Sequence, residues 1–236
     1  MNFMKDFRIF SCLLIWICAC TLYAKDLPRE ELLINSCWKY SKGDHEHAEQ
    51  EDFDDTSWEN VGLPHSFSIP YFMSKDFYVG YGWYRKQIQL SAADLKRKLF
   101  LEFDGVFQEA EVFVNGRMAG KHVGGYTGFS VDISPWIKKG KNLIAVRVNN
   151  LWKPDVAPRA GEHVFSGGIY RNVRLVKKGY CYISWYGMFI TTPDLAEQQG
   201  RYSRVKIETE ICNESNKSGI YRLQTRILDC NGKNVA

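Results

Sequence analysis

The stretch that most constrains this chain surrounds Asn115-Gly116. Before it, Ala110, Val112 and Val114 alternate with Glu111 and Phe113; after it, residues 117–122 return. Asn-Gly between two such runs selects a type I′ turn, because both central residues must take positive φ. A hairpin with one apolar face must bury that face against a second layer. The stretch therefore demands sheet packing.

The same texture recurs on both sides. Leu99, Leu101 and Phe103 alternate with Phe100 and Glu102, and Asp104-Gly105 stops them. Residues 80–90 begin with glycines and continue as a strand, and Ile144, Val146 and Val148 share one face of another. Val131 and Ile133 lead into Ser134-Pro135-Trp136. There the spacing predicts a single helical turn, capped by Ser134, with Pro135 at its first position and Gly140 at its end. Leu32-Leu33-Ile34 opens the series and residues 169–176 close it. About eight short strands with turn signals between them, and no long amphipathic helix, predict an all-β sandwich or jelly roll. Its two sheets pack face to face, about 10 Å apart.

Composition narrows the function. The chain has 236 residues, 45% hydrophobic and 25% charged, enough for one large or two small domains with real cores. A net charge of +4 without a basic cluster gives no case for a nucleic-acid partner. At the N-terminus, Lys5 and Arg8 precede an apolar run at residues 9–20, and Ala24 offers a small residue for cleavage. Residues 1–24 read as a secretory signal, so the protein is expected to be exported, periplasmic or extracellular. Ile17-Cys18-Ala19-Cys20 supports a second reading, a lipoprotein box with Cys20 acylated and the membrane engaged only through that lipid.

Cleavage leaves Cys37, Cys181, Cys212 and Cys230, whose spacing matches no zinc pattern and which are too sparse for a disulfide scaffold. Buried free thiols are expected. His45 and His47 stand among acidic residues, but no third ligand is implied, so a solvated loop is the reading and no metal is expected. Nor is there a nucleophile elbow or a phosphate-cradling glycine loop before a helix. The expected cofactor list is empty.

The run Ser166-Gly167-Gly168-Ile169-Tyr170-Arg171-Asn172-Val173-Arg174-Leu175-Val176 reads as a strand entered through a tight bend, the glycines permitting positive φ or close approach. It resembles the signature that closes the N-terminal sugar-binding domain of family 2 glycoside hydrolases, the family of β-galactosidases, β-glucuronidases and β-mannosidases. Further motifs are similar to that family in the same order. They are an acidic turn with Trp58 and Leu63-Pro64, then Gly82-Trp83-Tyr84-Arg85, Phe103-Asp104-Gly105-Val106 and Val112-Phe113-Val114-Asn115-Gly116. Gly124-Gly125-Tyr126 and Asp132-Ile133-Ser134 complete the set. The resemblance covers residues 58–176.

The resemblance implies a galactose-binding-like jelly roll over residues 25–178. It implies an immunoglobulin-like sandwich after it, over residues 179–236. That second sandwich is incomplete, because only three strands are predicted there (180–192, 201–212 and 219–228) where about seven are needed. The family's two catalytic glutamates lie on a later (β/α)8 barrel that this sequence lacks, so no catalytic residue is expected in this chain.

In β-galactosidases of the family, the first domain lends the sugar pocket an Asn after the Phe-Asp-Gly-Val strand and an Asp shortly before the Gly-Ile-Tyr-Arg run. This chain has Phe107 and Glu162 there. Phe107 is a pocket wall or plain packing; Glu162 is an acceptor for sugar hydroxyls or a loop carboxylate. The implied partners are a β-glycoside, most of all a β-galactoside, and the missing barrel of the same enzyme. A stand-alone carbohydrate-binding module and a structural sandwich without a sugar site remain as alternatives.

Overall fold

The computed structural model describes residues 28–67, 78–157, 167–197 and 204–235. The signal segment with Cys20 and Ala24, the aromatics Tyr71, Phe72 and Phe77, and Glu162 lie outside them.

Ten strands build the first unit. They are β1 (Glu30–Leu33), β2 (Trp38–Lys42), β3 (Glu59–Val61), β4 (Tyr81–Leu90), β5 (Lys98–Phe103), β6 (Glu109–Val114), β7 (Arg117–Val123), β8 (Phe129–Asp132), β9 (Gly140–Asn149) and β10 (Val173–Lys178). They pair antiparallel in two sheets, a four-stranded one in the order β1-β10-β5-β8 and a six-stranded one in the order β3-β2-β4-β9-β6-β7. This is the predicted jelly-roll sandwich. Alternation is its cause: β6 buries Ala110, Val112 and Val114 and turns Glu109, Glu111 and Phe113 outward. Between the sheets lie Trp38, Tyr84, Leu99, Leu101, Phe103, Ile144, Val146, Ile169 and Val173, all fully buried.

The hairpin at Asn115-Gly116 is as predicted, with φ of 51° and 79°, the left-handed pair that a type I′ turn requires. Three local expectations are corrected. Residues 134–136 form a hydrogen-bonded turn, not a helical one. Trp136 N–H donates to Ile133 O at 3.0 Å, and the Ser134 hydroxyl accepts from Leu99 N–H at 2.8 Å, stitching two strands instead of capping a helix. The closing strand starts at Val173, not Ile169, because residues 167–169 are used elsewhere. β2 went unrecognised, since Lys39 and Lys42 interrupt what Trp38 and Tyr40 bury.

Residues 43–58 fold back over the outer face of the six-stranded sheet and make a second, smaller core. Ala48, Trp58, Trp83 and Ala145 are buried there, with Phe53 and Phe113 against them. Trp58 fills this smaller core, not the one between the sheets. Arg85 anchors the loop from below.

Beyond the sandwich, β11 (Cys181–Thr191) and β12 (Lys206–Asn213) pair antiparallel as a two-stranded sheet. The third strand expected at residues 219–228 has no ladder. Its one sheet-like contact is a bridge between Leu228 and Asn234. Alternating residues extend a chain, but a strand needs a neighbour to take its backbone hydrogen bonds.

Candidate functional site

Three of the motifs, Phe103-Asp104-Gly105-Val106, Gly124-Gly125-Tyr126 and the run that enters β10, converge on one end of the sandwich, while the Asn115-Gly116 hairpin and Asp132-Ile133-Ser134 lie at the other. Gly168 and Phe107 exchange both backbone hydrogen bonds, at 3.0 and 3.1 Å. Asp104 N–H donates to Asn172 O at 3.0 Å, and its carboxylate pairs with Arg174 at 2.6 Å. The Tyr170 hydroxyl donates to Gly125 O at 2.6 Å. His65 N–H donates to Ile169 O at 2.9 Å, and Phe67 N–H to Gly167 O at 3.0 Å. The loops after β3, β5 and β7 are thereby tied to the segment that enters β10.

The glycines make this seam possible. Gly168 has φ of +123°, and a Cβ there would stand 2.6 Å from the Tyr84 hydroxyl and 2.8 Å from His65 O. At Gly167 a Cβ would meet the Phe67 ring at 2.2 Å. The Gly-Gly pair thus serves close approach as well as positive φ.

Beneath the seam, His65 Nδ1 and the Tyr84 hydroxyl share a hydrogen bond of 2.8 Å. Burial pushes the Tyr84 phenol well above its usual range and the His65 ring below its own. At neutral pH the pair is an uncharged phenol and an uncharged imidazole, suited to holding loops and not to moving protons.

Phe107 is 3% exposed. Tyr126 meets its ring edge-on, centroids 5.8 Å apart, and Gly125 lies against one face so closely that a Cβ would come within 2.2 Å. In the chain as described, its ring sits under the Gly125-Tyr126 loop. Among the described residues of these loops, Tyr126 and Trp152 are open aromatics, each 64% exposed. The next residue, Gln108, donates from its amide to Leu151 O at 2.6 Å and fixes the strap that follows β9. That strap leads to the segment carrying Glu162, outside the described residues.

Sequence reasoning left the polar face next to this seam unexamined. Glu109 accepts from Asn149 at 2.9 Å and pairs with Lys153 at 2.5 Å. Glu111 is on the outer face, held by Lys121 at 2.7 Å and Arg147 at 3.1 Å. Arg147 also binds Asp44 and lies 4.1 Å from the Tyr81 ring centroid. The cross-strand register was the signal that could have found this lattice, because it sets Arg147 beside Glu111 and Glu111 beside Lys121.

The carboxyls share one tendency. Every carboxyl among the described residues with a displaced pKa is displaced downward. For Glu111, burial pushes up but hydrogen bonds from Lys121 and Arg147 pull further down. Asp44 is held low by Arg147 against the opposing effect of burial. These are permanent anions at neutral pH, not proton donors. Among the described residues no group of three or more His, Cys, Asp or Glu is placed to hold a metal. Contrary to expectation, the cysteines are not buried: Cys37 and Cys230 are exposed, and Cys181 and Cys212 are half-buried.

An antiparallel jelly roll closed at one end by stitched loops is a β-sandwich domain, not a (β/α)8 barrel. The sequence model described as "Glycosyl hydrolases family 2, sugar binding domain" matches residues 41–179. The chain belongs to glycosyl hydrolase family 2, as an N-terminal region of one of its members.

It is 34% identical over 235 residues to a putative beta-glucuronidase of Formosa agariphila, across 96% of this chain and 22% of that protein. It is 33% identical over 229 residues to a beta-galactosidase of Bacteroides ovatus, across 92% of this chain and 26% of that protein. The crystal structure of a Bacteroides uniformis beta-glucuronidase superposes with a TM-score of 0.67 at 35% identity, over 70% of this chain and 20% of that one. The chain thus spans about a fifth to a quarter of the length of these relatives.

Proposed function

We propose that this chain is the non-catalytic N-terminal part of an exported family 2 glycosidase that hydrolyses β-glycosides with retention. Residues 25–178 form the accessory jelly roll, and residues 179–236 begin an immunoglobulin-like domain. The observation that carries this reading is the meeting of three of the family's motifs, at Phe103–Val106, Gly124–Tyr126 and Gly167–Val176, on one seam, where the Gly167-Gly168 run locks the Phe107 loop in place. A seam so ordered can present loops to a pocket whose reacting groups come from elsewhere. Retaining hydrolysis needs one protonated and one ionised carboxyl about 5 Å apart. The lowered carboxyls described here supply anions only.

In this reading Glu162 accepts hydrogen bonds from sugar hydroxyls. Phe107 holds the wall loop from beneath, with Tyr126 its open surface. The names of the relatives carry two substrate classes, β-galactosides and β-glucuronides. Export follows from the leader at residues 1–24, by cleavage near Ala24 or by acylation of Cys20.

The test uses the complete enzyme on chromogenic β-galactoside, β-glucuronide and β-mannoside. One class is expected to be cleaved with retained anomeric configuration, and Glu162→Ala to weaken its use with the fold unchanged. A lost hydrogen bond to a carboxylate predicts about 1.5–3 kcal/mol, or roughly 13- to 160-fold in kcat/KM. Unchanged kinetics on all three would remove Glu162 from the pocket.

A further inference from the structure

The outer face of the six-stranded sheet is only half covered. Register places Tyr81, Asn149, Glu109 and Val123 in one row across β4, β9, β6 and β7, and Trp83, Arg147, Glu111 and Lys121 in the next. Residues 43–58 roof the third row, over Arg85, Ala145 and Phe113. The first row, and Arg147, Glu111 and Lys121 of the second, stay open between the edge of that roof at Asp44 and His45 on one side and Lys153 of the strap on the other, with Trp83 buried under the roof. The result is a trough of two joined hollows, about 300 and 550 Å³, that share Glu111 and Arg147.

Its lining is polar, rigid and alternating in sense. Each oxygen of Glu109 and of Glu111 has a partner: Lys153 and Asn149 for the first, Lys121 and Arg147 for the second. A carboxylate offers about four lone pairs and an ammonium three protons, so each keeps capacity toward the trough. Spare acceptors and spare donors therefore lie side by side, as a sugar hydroxyl, at once donor and acceptor, requires. The stacked Tyr81 ring and Arg147 guanidinium add a flat surface at one end. An anion entering here would meet Glu109, Glu111 and Asp44 and, along the roof, Glu46 and Glu49; a cation would meet Lys121, Arg147 and Lys153. The matching ligand is neutral and rich in hydroxyls. The trough also begins at the seam, because Glu109 directly follows Gln108, whose side chain fixes the strap.

We propose that this trough binds a neutral oligosaccharide, the portion of a β-glycoside chain that extends away from the pocket at the seam. The proposal rests on the accessory role inferred above.

The test is titration calorimetry of the full chain with β-1,4-linked galactotetraose, mannotetraose and cellotetraose, each beside its monosaccharide. One tetraose should bind at least about tenfold more tightly than its monosaccharide, and Glu109→Ala and Lys121→Ala should each weaken it about tenfold with an unchanged circular dichroism spectrum. In the complete enzyme the same substitutions should raise KM for that tetraose and leave turnover of a chromogenic monoglycoside unaltered. That monoglycoside turnover is the readout on which the accessory role itself stands. No tetraose binding at about 1 mM overturns the trough, as does binding that both variants leave intact. Tighter binding of a β-1,4-linked uronate tetramer overturns its neutral specificity.

Discussion

Lys98 on β5 and Glu214, just after β12, meet with Nζ and Oε2 2.6 Å apart. Their contact joins the outer face of the four-stranded sheet to the β11–β12 sheet. Lys98 also pairs with Asp132, the Tyr182 hydroxyl donates to Glu214, and Tyr182 packs edge-on against Phe100 at 5.4 Å. Alongside, Lys178 and Glu102 are a buried pair at 3.4 Å, with the Lys178 ammonium 4.7 Å from the Phe100 ring centroid. The clasp explains why β5 is buried along its whole length: Leu99, Leu101 and Phe103 face the core, and Lys98, Phe100 and Glu102 face the joint.

This joint should loosen in acid. Hydrogen bonds from Lys98 and then Tyr182 hold the Glu214 carboxyl below its ordinary value of 4.5. A carboxyl depressed by folding stabilises above its unfolded pKa and loses that contribution as pH falls through the folded value. Glu214 is 44% exposed, so solvent screening limits the pair to about 0.5–1 kcal/mol. Hydrogen exchange, corrected for intrinsic rates, should show β11 and β12 losing protection below about pH 4.5 before the sandwich does. Glu214→Gln should produce the same loss at pH 7. Protection of β11 and β12 unchanged in that variant would show that the contact contributes nothing.

Arg85 should be the most costly polar residue to truncate. Its guanidinium is 3% exposed, pairs with Asp55 at 2.7 Å, donates to Gln50 O at 2.9 Å, to Phe53 O at 3.3 Å and to Ala48 O, and lies over Phe53 and Trp58. Removing it strands several acceptors under a roof that excludes water. Arg85→Met should cost about 3–5 kcal/mol in urea titration. Arg85→Lys should recover little, because one ammonium cannot reproduce the planar fork.

Gly116→Val should cost about 1–3 kcal/mol, because φ of 79° is strained for a β-branched residue. The space around it is not the obstacle, since a Cβ there meets only the flexible end of Gln50. Urea titration should therefore give a shifted midpoint with an unchanged slope.

Gly167→Ala and Gly125→Ala test the seam. Either Cβ would stand 2.2 Å from an aromatic ring, Phe67 in one case and Phe107 in the other. Overpacking of this kind costs about 1–3 kcal/mol. Gly125→Ala should also displace the Tyr126 loop and lower kcat/KM in the complete enzyme by more than its modest loss of stability explains. A change in melting temperature with normal kinetics would make the loop structural only.

These variants also mark what the sequence allowed to be read. The hairpin was legible because Asn115-Gly116 and the alternation beside it are local signals. The sheet order was not, since pairing Phe107 with Gly168 joins residues 61 apart. β2 was hidden because Trp38 and Tyr40 are buried while the lysines between and after them remain partly open. The site was legible only as motifs. Their convergence, and the Glu109–Glu111–Arg147 trough beside it, emerge from register, which a one-residue shift would turn to the opposite face. Lys98 and Glu102 read as outward charges, and nothing local says that a second sheet will cover them.

The last prediction concerns catalysis by this chain alone. A retaining glycosidase must hold a carboxylic acid protonated near neutrality, by burial or by a neighbouring anion, while a second carboxylate about 5 Å away stays ionised. Here cations and hydrogen-bond donors surround the carboxyls instead, and those with displaced pKa values, from Glu30 and Asp44 to Glu111 and Glu214, are displaced downward. Among the described residues no displaced carboxyl is displaced upward, as a donor for the leaving oxygen would be. Binding is less demanding, because part of a pocket can hold a sugar without stabilising its transition state. Purified residues 25–236 should leave chromogenic β-galactoside, β-glucuronide and β-mannoside intact from pH 5 to 8, about the range in which a raised catalytic carboxyl would act. The complete enzyme should cleave one of them. Hydrolysis by the short chain that survives repurification, and that disappears in Glu109→Gln or Glu111→Gln, would place a catalytic carboxyl in the trough and overturn the accessory role.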